Sequence, residues 1–427
     1  MSAANETRQQ PIAAFVGIDW ADQKHDIALR AAGLEAKVER SKIANQPEAL
    51  SDWVLALRER FADQGKILIC LEQSRGALIH FLMGYDCFEL YPINPKQLDS
   101  YRKAFRPSGA KDDPTDGELL CKYVSLHHQE LRPWRPDDEQ TRKLALLCEK
   151  RRQAVDARSA LSNQLKSELK QYYPLALAVL DNDLTSVLAA DFLLKWPDFA
   201  SLKKASALKL RSFFYGHQCR SEKKIQTRIQ LIESAQPLTR DLAIIEPGAL
   251  TAQMLARQLQ ALAPYIRQYD EQIAQLFSQH PDRVLFDNLP GAGDALAPRL
   301  LSAFGSNRDR FDNVLEPLSF FGLAPVTERS GKTTFIHFRW ACPKFLRQTF
   351  HEFAGCSVRF CDWAAAFYDQ QRARGKDHHV AVRALAYKWI RILFRCWKTR
   401  QPYDPQRYRA ALAHRGSPLA TAVKNSP

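Results

Sequence analysis

The sequence predicts a mixed α/β domain at its amino-terminal end and a mainly helical remainder. Short apolar runs, which are typical of buried strands, cluster within the first 92 residues. Beyond them lie long charged segments whose leucines and isoleucines recur in steps of three and four, as they do in helices. A chain of 427 residues is long enough for about two to three such domains.

The first predicted domain spans residues 11–135. Its predicted strands are short, mostly apolar runs bounded by turns, at 12–20, 25–30, 37–43, 66–72 and 87–92. Helical spacing of apolar residues predicts helices at 47–61 and 75–83 between them. Three strands in a meander, followed by strands that alternate with helices, is the order of a ribonuclease H-like (RuvC-like) fold.

Residues 136–280 are predicted to form two long helices, at 137–173 and 250–277, around a small helical insert. The apolar residues of the second helix follow a coiled-coil pattern, and we expect Pro264 to kink that helix. Two interpretations remain open. The helices are either part of a bundle that faces the core or a coiled-coil stalk through which two chains dimerise.

Residues 281–408 are predicted to form a third, mainly helical region, and residues 409–427 a disordered tail. The run LPGAGDALAPRLLSAFG places a Gly-x-Gly turn between two short helices, as in a helix-hairpin-helix that points N–H groups at a phosphate. An ordinary turn with a glycine cap fits that run equally well. A predicted helix at 379–398 combines an apolar stripe with a basic stripe, for which we expect nucleic-acid contact through Lys388, Arg391 and Arg395.

The composition favours a nucleic-acid partner. The chain has 61 Lys and Arg against 47 Asp and Glu, a formal net charge of +14, and such a surplus is typical of proteins that bind polyanions. The nine cysteines form no C-x-x-C pair, which favours reduced thiols over a disulfide framework. Since no apolar run is long enough to span a membrane and no secretory signal is recognisable, we expect a cytoplasmic protein.

Acidic residues of the first domain are candidates for a metal site. Asp19 and Glu72 end two predicted strands that are neighbours in a ribonuclease H-like sheet. Asp113 and Asp116 begin a predicted helix and share one of its faces, and Asp112 could replace Asp113. Carboxylates that converge need a cation to offset their repulsion, and oxygen ligands suit Mg²⁺ or Mn²⁺. Taken singly, each residue is equally consistent with a helix cap or a solvated strand end.

Several motifs of the chain resemble motifs of the insertion-sequence IS110 family of DEDD transposases and occur in the same order. These transposases are associated with a bridge RNA. The amino-terminal motifs are similar to the family's strand Asp, strand Glu and Lys-x-Asp-x-x-Asp-Ala signature; they read GIDWADQKHDIAL, LEQSRG and KDDPTDGELL. The later run from LPGAGDALAPRLLSAFG to LSFFGLAPVTERSGK is similar to the family's C-terminal transposase domain. Gly117 departs from the pattern, since the family usually has Ala there.

The resemblance implies a metal-dependent DNA transposase or recombinase. Its metal ligands would be Asp19, Glu72, Asp113 and Asp116. Its nucleophile would be Ser330, whose hydroxyl would form a 5′-phosphoserine link that is later religated. The implied partners are the DNA of the element ends and target, a non-coding guide RNA, and further copies of the chain in a dimer or tetramer. The implied location is the bacterial cytoplasm, associated with the nucleoid.

Basic residues around the serine are the predicted nucleic-acid contacts of the last region. Arg329 and Lys332 could offset negative charge that develops on the phosphate. The stretch after Ser330 lacks the Lys-Arg-Gly-rich segment of the family, so Arg339, Lys344 and Arg347 are expected to contact nucleic acid in its place.

Other classes of protein fit parts of the sequence. A junction-resolving nuclease of the same fold would use the carboxylates to activate water and would not need Ser330. A non-enzymatic nucleic-acid-binding protein would use the Gly-x-Gly turn and the basic helices and would leave the carboxylates without a role. A sugar kinase or actin-like ATPase also begins with Gly-Ile-Asp, but the glycine-rich phosphate loop expected after Asp19 is absent from the sequence.

Overall fold

The computed structural model describes residues 11–33, 36–72, 75–105, 113–331 and 333–419, without the side chains of residues 105 and 113–115. The chain divides into two compact units, residues 1–136 and 137–427. Within the described part of the chain, no helix has both the length and the apolar character needed to cross a bilayer.

The first unit is built on a five-stranded sheet with the order β3-β2-β1-β4-β5. Its elements in chain order are β1 (Ile12–Asp19), β2 (Lys24–Ala31), β3 (Glu39–Ala44), α1 (Pro47–Arg60), β4 (Lys66–Leu71), α2 (Ala77–Leu82), β5 (Phe88–Pro92), α3 (Pro95–Phe105) and α4 (Asp113–His127). The first three strands pair antiparallel, whereas β1, β4 and β5 pair parallel. The predicted mixed α/β class and the predicted strands of this unit are confirmed.

Helices cover both faces of this sheet. Since side chains alternate along each strand, every central strand contributes residues to two hydrophobic cores. Ile67, Ile69 and Leu71 of β4 pack in the core that contains α1 and α2. Leu68 and Cys70 of the same strand pack in a second core with α3 and α4. The central strands are therefore buried on both faces, which explains why they appear in the sequence as short, nearly continuous apolar runs.

The second unit begins with two long helices, α5 (Glu139–Tyr172) and α11 (Leu242–Gln279), which pack along one another. The insert between them consists of α6 (Pro174–Val179), α7 (Val187–Lys195), α8 (Phe199–Lys203), α9 (Ala207–Gly216) and α10 (Glu222–Ser234). One end of the helix pair packs in the core of the insert and the other end in the core of the carboxy-terminal helices. Between those ends, residues 149–164 of α5 include no buried side chain, so the pair bridges two cores.

The carboxy-terminal part of this unit surrounds one buried helix. Its elements are α12 (Gly293–Phe304), α13 (Leu315–Phe320), β6 (Val326–Ser330), β7 (Thr333–His337), α14 (Lys344–Ser357), α15 (Asp362–Ala373), α16 (His378–Thr399) and α17 (Pro405–His414). Every residue of α12 from Leu296 to Phe304 is buried. Strands β6 and β7 form a separate antiparallel hairpin.

Three local features differ from the expectations or qualify them. Helix α17, with Leu412 buried, extends into the expected disordered tail. Helix α11 continues through Pro264 and ends only at Gln279. A five-residue 3₁₀ helix at Pro281–Leu285, and not an α-helix, precedes the Gly-x-Gly turn. A Cβ atom on Gly291 of that turn would lie within 3.0 Å of the Cys356 backbone, so this glycine packs against α14. The helix-hairpin-helix interpretation stays a prediction.

Candidate active site

Asp19 and Glu72 are neighbours at the centre of the sheet. Asp19 is the last residue of β1, and Glu72 directly follows β4. These strands run parallel with Ile18 opposite Leu71, so the next pair in the register is Asp19 and Glu72. Alternation along the strands assigns both carboxylates to the face that α4 covers, and both residues are half-buried.

A further carboxylate, that of Asp26, was not predicted from the sequence. It continues the row that Glu72 and Asp19 form across neighbouring strands. Asp26 of β2 lies opposite Asp19, and Lys42 of β3 lies opposite Asp26. Nζ of Lys42 is 3.0 Å from Oδ1 of Asp26, and this ion pair offsets the repulsion between carboxylates on adjacent strands. The run GIDWADQKHDIAL contains both Asp19 and Asp26, but only the hairpin register shows that they face one another.

The first turn of α4 lies close to this row because two glycines permit a close approach. A Cβ atom on Gly17 would collide with the carbonyl oxygen of Gly117, and a Cβ atom on Gly117 would lie 3.2 Å from the carbonyl oxygen of Asp26. Backbone therefore packs on backbone where α4 crosses β1 and β2. This packing directs the start of α4, with Asp113 and Asp116, towards the carboxylate end of β1. It also gives a reason for glycine at position 117.

Asp116 is buried and bound by an arginine. It is only 4% exposed, and Nε and Nη2 of Arg102 donate hydrogen bonds to Oδ1 and Oδ2 over 3.0 and 2.7 Å. Arg102 belongs to α3, and its Nη1 also lies 3.5 Å from Oδ1 of Asp99. A bidentate pair of this kind fixes the plane of the carboxylate. This pair could not be predicted from the sequence, because its partners lie on different helices.

The chemistry of the donors suits a hard divalent cation. Carboxylate oxygens are the ligands that Mg²⁺ prefers. Burial raises the pKa of the Cys121 thiol to about 11 and also raises the pKa of Cys70, so the thiols beneath the carboxylates stay protonated. Among the described side chains, no three His, Cys, Asp or Glu are grouped closely enough to hold an ion. Asp112 and the side chain of Asp113 lie outside the described residues.

Ser330 lies at the tip of the β6–β7 hairpin. It pairs with Thr333 across a two-residue turn, in which Gly331 has a φ of +57°. That left-handed conformation favours glycine, and two-residue hairpin turns commonly require it. Ser330 is exposed. The Ser330 hydroxyl therefore lies at the accessible end of the hairpin.

Apolar side chains of this hairpin and its flank are also exposed. Phe335 is 54% exposed, Ile336 73%, and Trp340 78%. Every residue of β7 is exposed, so the hairpin has no hydrophobic face buried within its own unit. Isolated two-stranded hairpins are marginally stable in water, and these apolar side chains remain available for contact with another molecule.

The predicted nucleic-acid contacts near Ser330 fall into two groups. Arg329 on β6 and Lys344 at the start of α14 are exposed, and Lys332 lies outside the described residues. Arg339 and Arg347 instead brace the base of the hairpin. Nε of Arg339 donates to the carbonyl oxygen of Ala324 over 3.2 Å, and Nη1 of Arg347 donates to the carbonyl oxygen of Arg339 over 3.0 Å.

The predicted contacts on α16 lie far along the chain from this hairpin but in the same unit. Arg391 and Arg395 are exposed and Lys388 is half-buried. Nζ of Lys388 lies 4.7 Å from the centre of the Phe367 ring. These three cations follow one side of the helix, as the sequence pattern predicts.

Comparison with known proteins finds the same family in both units. Residues 16–174 match a family model of IS110-type DEDD transposases, and residues 284–369 match the model described as "Transposase IS116/IS110/IS902 family". The first match contains all four predicted metal ligands, and the second contains Ser330.

Proteins of bacterial insertion elements are similar to this chain over most of their own length. A mini-circle protein of Streptomyces coelicolor, assigned as the transposase for IS117, is 27% identical over 412 residues, which cover 95% of this chain and 98% of the relative. An uncharacterized 42 kDa protein of insertion element IS900 from Mycobacterium paratuberculosis is 24% identical, over 87% of this chain and 92% of the relative. Both family models and these relatives agree, and the chain belongs to the IS110 family of transposases.

Proposed function

We propose that this transposase cuts and rejoins DNA by metal-dependent phosphoryl transfer in a ribonuclease H-like domain. The ligands of Mg²⁺ or Mn²⁺ would be Asp19, Glu72, Asp113 and Asp116. The observation that carries this proposal is the register of β1 and β4, which makes Asp19 and Glu72 neighbours on the face that α4 covers. When bound, two such ions polarise a phosphodiester and stabilise its attacking and leaving oxygens.

Residues around the carboxylates have supporting roles in this proposal. Arg102 holds the Asp116 carboxylate in one orientation, so that this group does not have to be ordered when DNA binds. Lys42 balances the charge of Asp26 and so limits the repulsion that the row of carboxylates must overcome. Both cations thereby position acidic groups without contacting the reacting atoms.

Ser330 would supply the nucleophile. Its Oγ attacks the scissile phosphorus, the bond from phosphorus to the DNA 3′ oxygen breaks, and the serine proton ends on that 3′ hydroxyl. In the reverse direction a 3′ hydroxyl attacks the phosphoserine and releases the serine, so no ATP is consumed. Support comes from the exposed position of Ser330 at the tip of a hairpin, where a phosphate can approach it.

The partners of the proposed reaction are DNA, a guide RNA and other copies of the chain. The net charge of +14 and the exposed cations Arg329, Lys344, Arg391 and Arg395 support contact with nucleic acid. The exposed apolar side chains of the hairpin support a contact with another molecule. We infer that the metal domain of one subunit receives the serine hairpin of another.

The direct test is a search for a covalent protein–DNA adduct. The full-length protein is incubated with its own element-end DNA, Mg²⁺ and the flanking transcript, and denaturing gels detect protein that carries labelled DNA. We expect adduct with the wild-type protein and none with Ser330→Ala or Asp19→Asn. Thr333→Ala removes the hydroxyl on the opposite strand of the same turn, and Asp22→Asn removes an exposed carboxylate near Asp19; both should keep the adduct.

Three outcomes would contradict the proposal. An adduct that survives Ser330→Ala would assign the link to another residue. Cleavage of DNA by Ser330→Ala, without any adduct, would favour a nuclease that activates water at the carboxylates. Binding that is unchanged in every variant, with no cleavage by the wild type, would favour a non-enzymatic nucleic-acid-binding protein.

A further inference from the structure

Helices α16 and α17, with the segment that joins them, line a cavity of about 640 Å³ at the carboxy-terminal end of the described chain. Cations from both helices and from the residue after α17 line it: Lys388, Arg391, Arg395, Arg407 and Arg415. We call this cavity the α16–α17 cleft. The matched family regions end at residue 369, so they do not include the α17 side of the cleft. The basic stripe predicted from the sequence lies on α16 alone.

The charge of this region is strongly one-sided. Residues 388–427 contain nine Lys or Arg and a single acidic residue, Asp404. The Asp404 carboxylate is already used, since Oδ1 accepts hydrogen bonds from the N–H groups of Gln406 and Arg407 at the start of α17. This one carboxylate also lines the cleft, and its single negative charge can offset only one of the five cations there.

Two cations of this region that lie outside the cleft do have partners. Arg409 pairs with Asp362, and Nζ of Lys398 donates to the carbonyl oxygens of Arg308 and Phe311. Within the part of the chain that the structure describes, neither Arg391 nor Arg395 has an ion pair or a side-chain hydrogen bond.

Lys388 and Arg415 likewise have no ion pair and no side-chain hydrogen bond among the described residues. Nη1 of Arg407 donates a hydrogen bond to the neutral amide oxygen Oε1 of Gln401 over 3.0 Å. Burial lowers the pKa of Lys388, and nearby Arg391 adds to that effect. An anion that binds in the cleft would reduce the repulsion between these like charges.

Tyrosines form the rest of the wall. Tyr403 is held in place, because its hydroxyl accepts a hydrogen bond from Nε1 of Trp363 over 2.7 Å and its ring lies 5.2 Å from the Trp389 ring. The Tyr387 ring is half-buried and has no aromatic neighbour among the described residues. Cations together with available aromatic rings are the combination that binds unpaired nucleotides, through phosphates and base stacking.

The size of the cleft limits the form of the ligand. A cavity of about 640 Å³ lies within the range of sites that enclose small molecules, and a base-paired duplex is too wide to enter it. An unpaired nucleotide, with its base turned out, does fit such a site. We propose that the α16–α17 cleft binds unpaired nucleotides, with phosphates on Arg391, Arg395 and Arg407 and a base against Tyr387. This inference extends the proposed contact of α16 with nucleic acid.

The test measures binding of short homopolymers to the full-length protein over a series of salt concentrations. Fluorescence anisotropy is recorded with a twelve-nucleotide deoxythymidine strand, the same length of uridine RNA, and a duplex DNA. For single strands the slope of log K against log salt changes by about 0.7 for each phosphate contact. We expect Arg407→Gln to reduce the slope by about 0.7. The triple variant, which combines Arg407→Gln with Arg391→Gln and Arg395→Gln, should reduce it by about 2.

Matched controls separate the cleft from general surface charge. Arg409→Gln removes the same charge two residues along α17, but outside the cleft, and should leave the slope unchanged. Tyr387→Leu should weaken binding about tenfold without changing the slope, because stacking does not release counterions. Circular dichroism melting curves that match the wild type show that each variant is folded.

Each outcome decides the proposal. Equal slope changes in Arg407→Gln and Arg409→Gln, or equal effects on duplex and single strand, would overturn it. Stronger loss with RNA assigns the cleft to RNA, and stronger loss with DNA assigns it to the DNA strands. Ser330→Ala should bind these strands like the wild type, so failure of covalent chemistry and failure of the cleft are separate results.

Discussion

At the scale of single residues, the ion pair of Arg102 with Asp116 has the clearest energetic consequence. Both side chains are largely buried, at 12% and 6% exposure, so removing one partner leaves the other charge in a poorly solvated place. Breaking a buried pair costs about 3–5 kcal/mol. Arg102→Gln should therefore lower the free energy of unfolding by about 3 kcal/mol, measured by chemical denaturation monitored in the first unit.

The control for this prediction is Lys103→Gln on the same helix. Lys103 pairs with Asp99, but both side chains are exposed, at 69% and 47%, and exposed pairs contribute at most about 1 kcal/mol. A variant Arg102→Gln as stable as Lys103→Gln would show that Asp116 does not depend on its arginine. Combining Arg102→Gln with Asp116→Asn should restore part of the loss, since no unpaired charge then remains.

At the scale of elements, a buried histidine links the start of α5 to the end of α11. Nδ1 of His280 accepts a hydrogen bond from the N–H of Asp282 over 3.0 Å, so the ring proton lies on Nε2, 2.9 Å from Oγ1 of Thr141. Thr141 in turn donates to Oδ2 of Asp138 over 2.7 Å. This chain of bonds requires a neutral ring, because a proton on Nδ1 would remove the acceptor of the Asp282 N–H.

This arrangement predicts a loss of stability in acid. Burial lowers the pKa of His280 below its usual value of 6.5, so the unfolded chain binds the proton more readily than the folded chain does. The contribution is complete above pH 6.5 and is lost as pH falls towards the lower, folded-state pKa. His280→Asn keeps an acceptor for the Asp282 N–H but does not titrate. It should therefore lose less stability between pH 7.5 and 5.0 than the wild type, by on the order of 1 kcal/mol.

Denaturation curves at the two pH values check this prediction, with His414→Asn as the control. His414 is exposed at the end of α17, and His414→Asn is the same substitution made at a surface histidine. Identical losses in the wild type and in His280→Asn would show that His280 keeps its usual affinity for protons.

The elements also show which parts of the fold can be predicted from a sequence. Strands β1, β4 and β5 were predictable because burial on both faces produces apolar runs with few polar interruptions. Helix α17 was not, since it is only ten residues long and buries only Leu412, which is too little apolar surface to give a clear helical stripe. The close packing of α4 at Gly17 was equally hidden, because an absent side chain leaves no periodic signal.

At the scale of the whole molecule, the residues of the proposed chemistry come from both units, the carboxylates from the first and Ser330 from the second. Asp19 and Glu72 could be predicted because strand ends are visible in the sequence and parallel register then joins them. Asp26 and Arg102 could not, because their roles depend on hairpin register and on packing between helices. Ser330 was proposed from the resemblance alone, and its place at the end of β6 beside the hairpin turn depends on the pairing of β6 with β7.

Mixing two inactive variants tests that assembly. Asp19→Asn keeps an intact serine, and Ser330→Ala keeps intact carboxylates. If the site forms between subunits, a mixed dimer contains one complete site, and random exchange should restore about a quarter of the wild-type adduct. If each site forms within one chain, the mixture should give no adduct.

A parallel mixture of wild type with Ser330→Ala, separated by an affinity tag, confirms that subunits have exchanged. Adduct formed by Asp19→Asn in the absence of any other variant would contradict the role of Asp19. Adduct that appears only when the two variants are mixed assigns the carboxylates and the serine of one site to different subunits.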